Sequence, residues 1–323
     1  MARSSITMIK SECSRLWACR TMSFTSTKAP LWSIFPFIFE QWNDHYVSNK
    51  RKTSLPEGRA SELYHFLLTQ IIIGQAHYAL QAIDVDAGDL NIVCQQAKAH
   101  SVAVYLATIE RPQDRSGMSL YGSMVYIDKN GVIQSVHRKL MPTYEERLVW
   151  SAGDGHGLTT HSLDVFTVGG LNCWENWMPL ARASLYGQGE NLHVAIWPGS
   201  VRNTQDIGPF LAKEGRSYSM AVSGLMAVAD IPREFPLYDE IMQGLGDRDF
   251  LANGGSCLCG PNGDFIIEPQ LETEGLFSAV IDLDRVREER QNFDPAGHYS
   301  RPDVTCLQVN RERQSTIKLK NTV

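Results

Sequence analysis

Cys173, Lys139 and the adjacent carboxylates Glu145 and Glu146 are the residues of this 323-residue chain whose types and settings suit covalent chemistry. An apolar run ends on Gly169-Gly170, and "PLARASLYGQG" (179–189) has the spacing of a helix that stops on glycines. Cys173 therefore falls at or just before a helix N-terminus, where unpaired N–H groups and the helix dipole favour an anion. A free thiol, with a pKa of about 8.5, is only a few per cent thiolate at neutral pH, and such a setting raises that fraction. Lys139 lies in "SVHRKLMPTYEERLVWSAGDG" (135–155), which ends a strand on a basic cluster and turns at Pro142. A lysine on the same rim as the thiol would stabilise charge developing on an attacked centre. Glu145 or Glu146 would orient that lysine or carry a proton. Each feature also has a plainer reading. Buried cysteines are most often packing residues, Arg138-Lys139 suits a solvated hairpin end, and paired glutamates are ordinary surface charges.

The elements that must position these groups are legible from about residue 60 onward. "SELYHFLLTQIIIGQAHYALQAI" (61–83) is long enough for one or two helices. "DAGDLNIVCQQAKAH" (86–100) has an acid-rich, capped start and helical apolar spacing, and "SVAVYLATIE" (101–110) reads as a buried strand. "GSMVYIDKNGVIQSVHRKL" (122–140) is a hairpin turning at Asp128-Lys129-Asn130-Gly131. "NLHVAIWPGS" (191–200) is a buried strand, "IGPFLAKEGRSYSM" (207–220) a helix leading into strand "MAVSGLM". "GGSCLCGPNGDFIIEP" (254–269) is a second hairpin, and "GLFSAVIDLDRVREERQNF" (275–293) a strand followed by a charged helix. Strands alternating with helices and interrupted by hairpins imply mixed sheets covered by helices.

Composition limits the function classes. A net charge of −6 gives no basic footprint for nucleic acid. No apolar run reaches the roughly 18–20 residues of a membrane span; "PLWSIFPFIF" (30–39) is too short and holds two prolines. Seven scattered cysteines point to a reducing compartment rather than a disulfide framework. No Cys/His spacing suits a metal, and Cys257 and Cys259 should share one face of a hairpin strand as packing residues. Residues 1–28 are basic, acid-poor and rich in Ser and Thr, an atypical, disordered or transit-like leader. The expected organisation is that leader, one domain over 29–312 and a tail over 313–323, located in the cytoplasm or, if the leader is a targeting signal, the mitochondrion.

"GGLNCWENWMPLARASLYGQGENLHVAIWPGS", "HRKLMPTYEERLVWSAGDGHG" and "GHYSRPDV" (297–304) resemble, in order, the nitrilase branch of the carbon–nitrogen hydrolase superfamily. The likeness runs from about residue 55 to 310. It implies a four-layer α-β-β-α sandwich that pairs through helices into dimers or longer spirals. It implies Cys173 as nucleophile, Lys139 as the stabilising cation, Glu146 as the second glutamate beside them, and the Trp174 N–H as a further donor to the developing anion. It implies a small nitrile as substrate, converted to acid and ammonia through a thioimidate and a thioester, with no cofactor and no metal. An amidase of the same superfamily is the neighbouring alternative. One position departs from the pattern: the family's Phe-Pro-Glu general base aligns with Phe35-Pro36-Phe37, while Glu40 is the nearest spare carboxylate and Glu57 falls in a later segment, "LPEGR" (55–59). A catalytically impaired member is therefore a further alternative. Trp150, Trp174, Trp177 and Trp197 fit an apolar pocket at the cysteine or the core, and His298 fits a structural place on the pocket rim.

Overall fold

The computed structural model describes residues 3–10 and 79–317, apart from residue 232 and residues 234–237. Of the expected helical stretch 61–83 only residues from 79 are described, with 79–81 helical, and Phe37, Glu40 and Glu57 lie outside the described residues.

The elements in chain order are β1 (Arg3–Lys10), α1 (Asn91–His100), β2 (Val104–Glu110), β3 (Tyr121–Ile127), β4 (Ile133–Arg138), β5 (His161–Leu163), β6 (Phe166–Asn172), α2 (Pro179–Tyr186), β7 (Leu192–Trp197), α3 (Ile207–Gly215), β8 (Tyr218–Ser223), β9 (Leu225–Ala227), α4 (Tyr238–Leu245), β10 (Phe250–Cys259), β11 (Phe265–Leu271), β12 (Gly275–Asp282) and α5 (Leu283–Arg290). One sheet has the order β11-β10-β8-β7-β6-β5, with β9 also paired to β10. A second sheet is the antiparallel meander β2-β3-β4, and β1 pairs with β12. Strands β6, β7 and β8 run parallel, each joined to the next through a helix, so their carboxyl ends share one edge.

Side-chain alternation divides the interior into layers. From the large sheet, Phe166, Val168, Leu192, Val194, Tyr218 and Leu258 pack against Tyr126 of β3. The opposite face of the same strands presents Leu171, Ala195, Trp197, Ala221 and Cys257 to Ala181 and Leu185 of α2 and to Ile207 and Leu211 of α3. The outer face of the meander presents Val125, Ile127 and Leu106 to Val93, Cys94 and Ala97 of α1. The order α1, meander, large sheet, α2 with α3 is the α-β-β-α sandwich. Gly170 makes the close approach of the sheets possible: a Cβ there would lie 2.9 Å from Met124 Cε and 2.7 Å from the Val194 carbonyl oxygen.

The hairpin turn at Asp128–Gly131 forms as its sequence requires, with Gly131 at φ +78° and the Asp128 carboxylate accepting from the Asn130 and Val132 N–H groups. Other elements differ from expectation. Helix α1 starts at Asn91 with no side-chain cap; Asp84 and Asp89 instead serve the turn ahead of it, Asp89 accepting from the Asp84 N–H at 2.9 Å and Asp84 from Ala87 at 3.0 Å. Strand β2 is half-buried because it edges its sheet, and the fully buried strand is its neighbour β3. Composition sets the opening residues apart as a leader, yet Arg3–Lys10 pairs with β12 from Arg3↔Asp282 to Lys10↔Gly275. A ladder is a backbone property that a basic, Ser-rich composition does not forbid. Cys257 and Cys259 are free, fully buried and on one face, their Sγ atoms both against Gly208.

Replacing Gly170 by valine should wedge the two sheets apart and cost about 1–3 kcal/mol. Urea unfolding checks this; an unchanged midpoint would show that the sheets do not meet at Gly170.

Candidate active site

The site is built where β6 and β4 end. Strand β6 stops at Asn172, and Cys173 opens a 3-10 turn, Cys173–Trp177, ahead of α2. The thiol thus begins a short tight turn rather than an α-helix. Cys173 is buried and has φ +58°, the left-handed region that costs a non-glycine residue free energy. Buried partners hold it there. The Asn176 amide donates to the carbonyl oxygens of Cys173 at 2.8 Å and Leu171 at 3.2 Å. Its Oδ1 then accepts from His193 Nε2 at 2.8 Å, and His193 Nδ1 meets Glu190 Oε1 at 2.9 Å. Glu190 also explains Gly169, where a Cβ would sit 2.3 Å from Oε1.

Strand β4 ends at Arg138, and alternation sends its last side chains to opposite faces. Arg138 turns outward and is buried in a bidentate pair with Glu110, at 2.8 Å from Nη2 to Oε1 and 3.0 Å from Nε to Oε2, with Asp114 at 3.1 Å. Lys139 turns into the space between the sheets and is 1% exposed. The reading of these two as a solvated hairpin end is therefore wrong: edge charges on a lone hairpin become interior charges once the second sheet covers them. Lys139 Nζ donates to Glu146 Oε2 at 2.6 Å and Thr143 Oγ1 at 3.3 Å, and it lies 5.7 Å from the centre of the Trp150 ring. Burial works against the Lys139 charge, but attraction to Cys173 and then Glu146, with the Glu146 hydrogen bond, outweighs it and holds the ammonium above the usual lysine range. Cys173, Lys139 and Glu146 therefore share one buried site. Glu146 itself is fixed by a capping box in which the Thr143 N–H donates to its Oε2 at 2.6 Å.

A second carboxylate, Glu175, completes the site. It is 1% exposed and accepts from the Asn172 N–H at 2.9 Å, the Leu140 N–H at 2.6 Å and His137 Nε2 at 3.0 Å. Burial raises its pKa, but the His137 contact and the two backbone bonds outweigh that and hold it below the usual carboxylate range. Sequence reasoning passed over Glu175, His137, Asn176, His193 and Glu190. One signal was present for the first: Asn172-x-x-Glu175 repeats the capping-box pattern of Thr143-x-x-Glu146.

A match to the family model described as carbon–nitrogen hydrolase covers residues 63–291. The chain belongs to the carbon–nitrogen hydrolase family. An aliphatic nitrilase of Rhodococcus rhodochrous is 34% identical over 66% of this chain and 58% of its own length. A bifunctional nitrilase/nitrile hydratase of Nicotiana tabacum is 30% identical over 76% of this chain and 69% of its own length. The chain thus spans only about six- to seven-tenths of these relatives. The solved structure of the NitFhit protein of Caenorhabditis elegans superposes with a TM-score of 0.61 at 15% identity, covering 98% of this chain and 69% of that one, and so shares its fold.

In this carbon–nitrogen hydrolase the four tryptophans divide. Trp197 is core, Trp150 packs beside Lys139, and Trp174 and Trp177 are exposed. His298 is not on the rim at Cys173. With Asn191, Arg287 and Arg290 it lines a cleft of about 390 Å³ at the opposite end of β7, because the loop after α5 folds to the strands' amino ends. The tail is partly held: Arg313 pairs with Asp154 at 2.9 Å.

The raised Lys139 pKa has a definite sign. Its ion pairs stabilise the fold fully below the unfolded-state lysine pKa, and that contribution is lost as pH rises through the folded value. Glu146→Gln should move the Lys139 titration downward, read by NMR of the lysine side chain assigned through Lys139→Arg. An unmoved titration would show that Glu146 does not set the charge.

Proposed function

We propose that this carbon–nitrogen hydrolase is a nitrilase, converting a nitrile and two waters to a carboxylic acid and ammonia. The observation that carries the reading is the burial of Cys173 and Lys139 together, close enough for the charge of one to favour the charge of the other. The names of its relatives, aliphatic nitrilase and nitrilase/nitrile hydratase, support nitrile as the substrate class.

In this reading the Cys173 thiol adds across the nitrile: its S–H bond breaks, sulfur bonds to the nitrile carbon, and the released proton ends on the nitrogen to give a thioimidate. Lys139 and the Trp174 N–H donate to the nitrogen as negative charge builds on it. Water adds, ammonia leaves, and a thioester remains. A second water releases the acid and restores the thiol. Covalent catalysis divides one difficult hydrolysis into easier steps. Glu146 keeps Lys139 charged and aimed. The acid forms if ammonia leaves the tetrahedral intermediate; an amide forms if sulfur leaves first. A second reading, a member that binds nitriles without turnover, draws on Phe37 in the place of the family's base.

The chain is further proposed to pair with itself. Trp177 stacks on Phe210 at 5.9 Å between ring centres, and Trp174, Met178 and Leu180 stand exposed around them on α2 and the turn before it. A second copy would cover this apolar face.

Purified protein should release ammonia from a panel of aliphatic and aromatic nitriles, with acid as the main product by chromatography. Cys173→Ala should lower the rate by about 10³-fold or more. Turnover undiminished in that variant would end the proposal, and nitrile binding without ammonia would favour the second reading. Leu180→Glu should shift the protein toward monomer in sedimentation velocity; an unchanged distribution would place the contact elsewhere.

A further inference from the structure

Glu175 makes more bonds than a cap requires. A helix-start carboxylate needs only the Asn172 N–H, which Glu175 Oε2 accepts at 2.9 Å. Yet Oε1 also takes the Leu140 N–H at 2.6 Å, and His137 Nε2 spans both oxygens at 3.0 and 3.1 Å. Asn172 immediately precedes Cys173, and Leu140 immediately follows Lys139. Asn172 ends β6 and Leu140 lies two residues past β4, strands of different sheets. One side chain therefore bonds the backbone on the flank of both reactive residues.

We propose that Glu175 is a positioning residue that sets the separation between Cys173 and Lys139 by clamping the end of β6 to the end of β4. The proposal rests on the nitrilase reading for its consequence in turnover, though not for the clamp itself.

Chemistry argues against Glu175 as a substitute for the base missing at Phe37. A general base must accept a proton, and three donors already face this carboxylate and favour its ionised form. It is also sealed from solvent. What it offers is rigidity. A buried carboxylate holding two backbone amides resists relative motion of the two loops, because separating them would leave charge and N–H groups unpaired. His137 supports it from β4: its Nε2–H points at the carboxylate, and Gly157 leaves room, since a Cβ there would lie 2.5 Å from His137 Cβ.

Glu175→Gln tests the idea. Glutamine keeps the shape but offers one acceptor oxygen and sets an NH2 group against a donor. In the variant, checked for fold by circular dichroism, Cys173 alkylation by iodoacetamide at pH 7 should slow about tenfold and its pH midpoint rise, because Lys139 no longer sits beside the thiol. Peptide mapping by mass should show Cys306 reacting as before. For nitriles that are turned over, kcat should fall on the order of 10²-fold with KM little changed, as misplacement of a reacting pair does. Glu175→Asp, which keeps the charge but is too short for both amides, should restore only part of the alkylation rate. A folded Glu175→Gln protein with the parent's alkylation rate and midpoint would overturn the proposal and leave the nitrilase reading standing. Failure of the parent to hydrolyse nitriles would do the reverse. Should the glutamine variant not fold, hydrogen exchange on the parent decides. The Leu140 and Asn172 amides should be protected together, and exchange of either at the rate of an open loop amide would overturn the clamp.

Discussion

The face-to-face packing of β3 and β4 against β6 and β7 is the constraint from which the rest follows. Two sheets stacked in this way lie about 10 Å apart, and Gly170 against Met124 holds them close. Because β4 and β6 end at the same rim, the residue after each strand projects into one shared space. Lys139 and Cys173 meet there because of where the strands stop. Sliding either strand by one residue would put Arg138, or the side chain of Asn172, in that place.

Burial makes the meeting chemically consequential. An isolated ammonium in this interior would be driven to its neutral form. The Lys139 pKa is instead raised, because attraction to Cys173 in its thiolate form and then to Glu146 outweighs desolvation. Removing one member of a buried pair typically costs about 3–5 kcal/mol, since the survivor is left uncompensated. Arg138 with Glu110 answers the same need nearby. Lys139 with Glu146 and Arg138 with Glu110 thus place two buried ion pairs beside Cys173. Cys173 and Tyr144, on the two loops that form the site, both hold left-handed backbone, at φ +58° and +43°. The surrounding hydrogen bonds over-determine these conformations, which is how strain persists at a functional site.

Local rules located most elements. The two hairpins, the strands β6 to β8 and β10 to β12 and the helices α2, α3 and α5 follow from alternation, helical spacing and Asn-Gly turns, because short-range sterics decide them; the expected strand "MAVSGLM" instead breaks at Gly224 into β8 and β9. The motif around Cys173 and the run holding Lys139 and Glu146 singled out the site's main residues, since each carries its chemistry in a distinctive short segment. Where the reading failed, the cause was usually a neighbour distant in sequence. The start of α1 was misjudged because its acids serve a turn, and β2 because its place at a sheet edge is decided by pairing. His298 was misplaced because the loop carrying it folds to the far end of the strands.

The sequence alone singled out Cys173 and Lys139 and determined the hairpins and the alternation that gives each strand two faces. These depend on residue identity and near neighbours. Only the tertiary structure decided that Arg138 and Lys139 are interior charges on opposite faces, that Cys173 is held left-handed by Asn176, and that Glu175 joins the loops carrying the lysine and the thiol. Burial, and a hydrogen bond such as the one joining Leu140 to Glu175 across 35 positions, have no signature in a local window, because they exist only once two sheets have closed on each other.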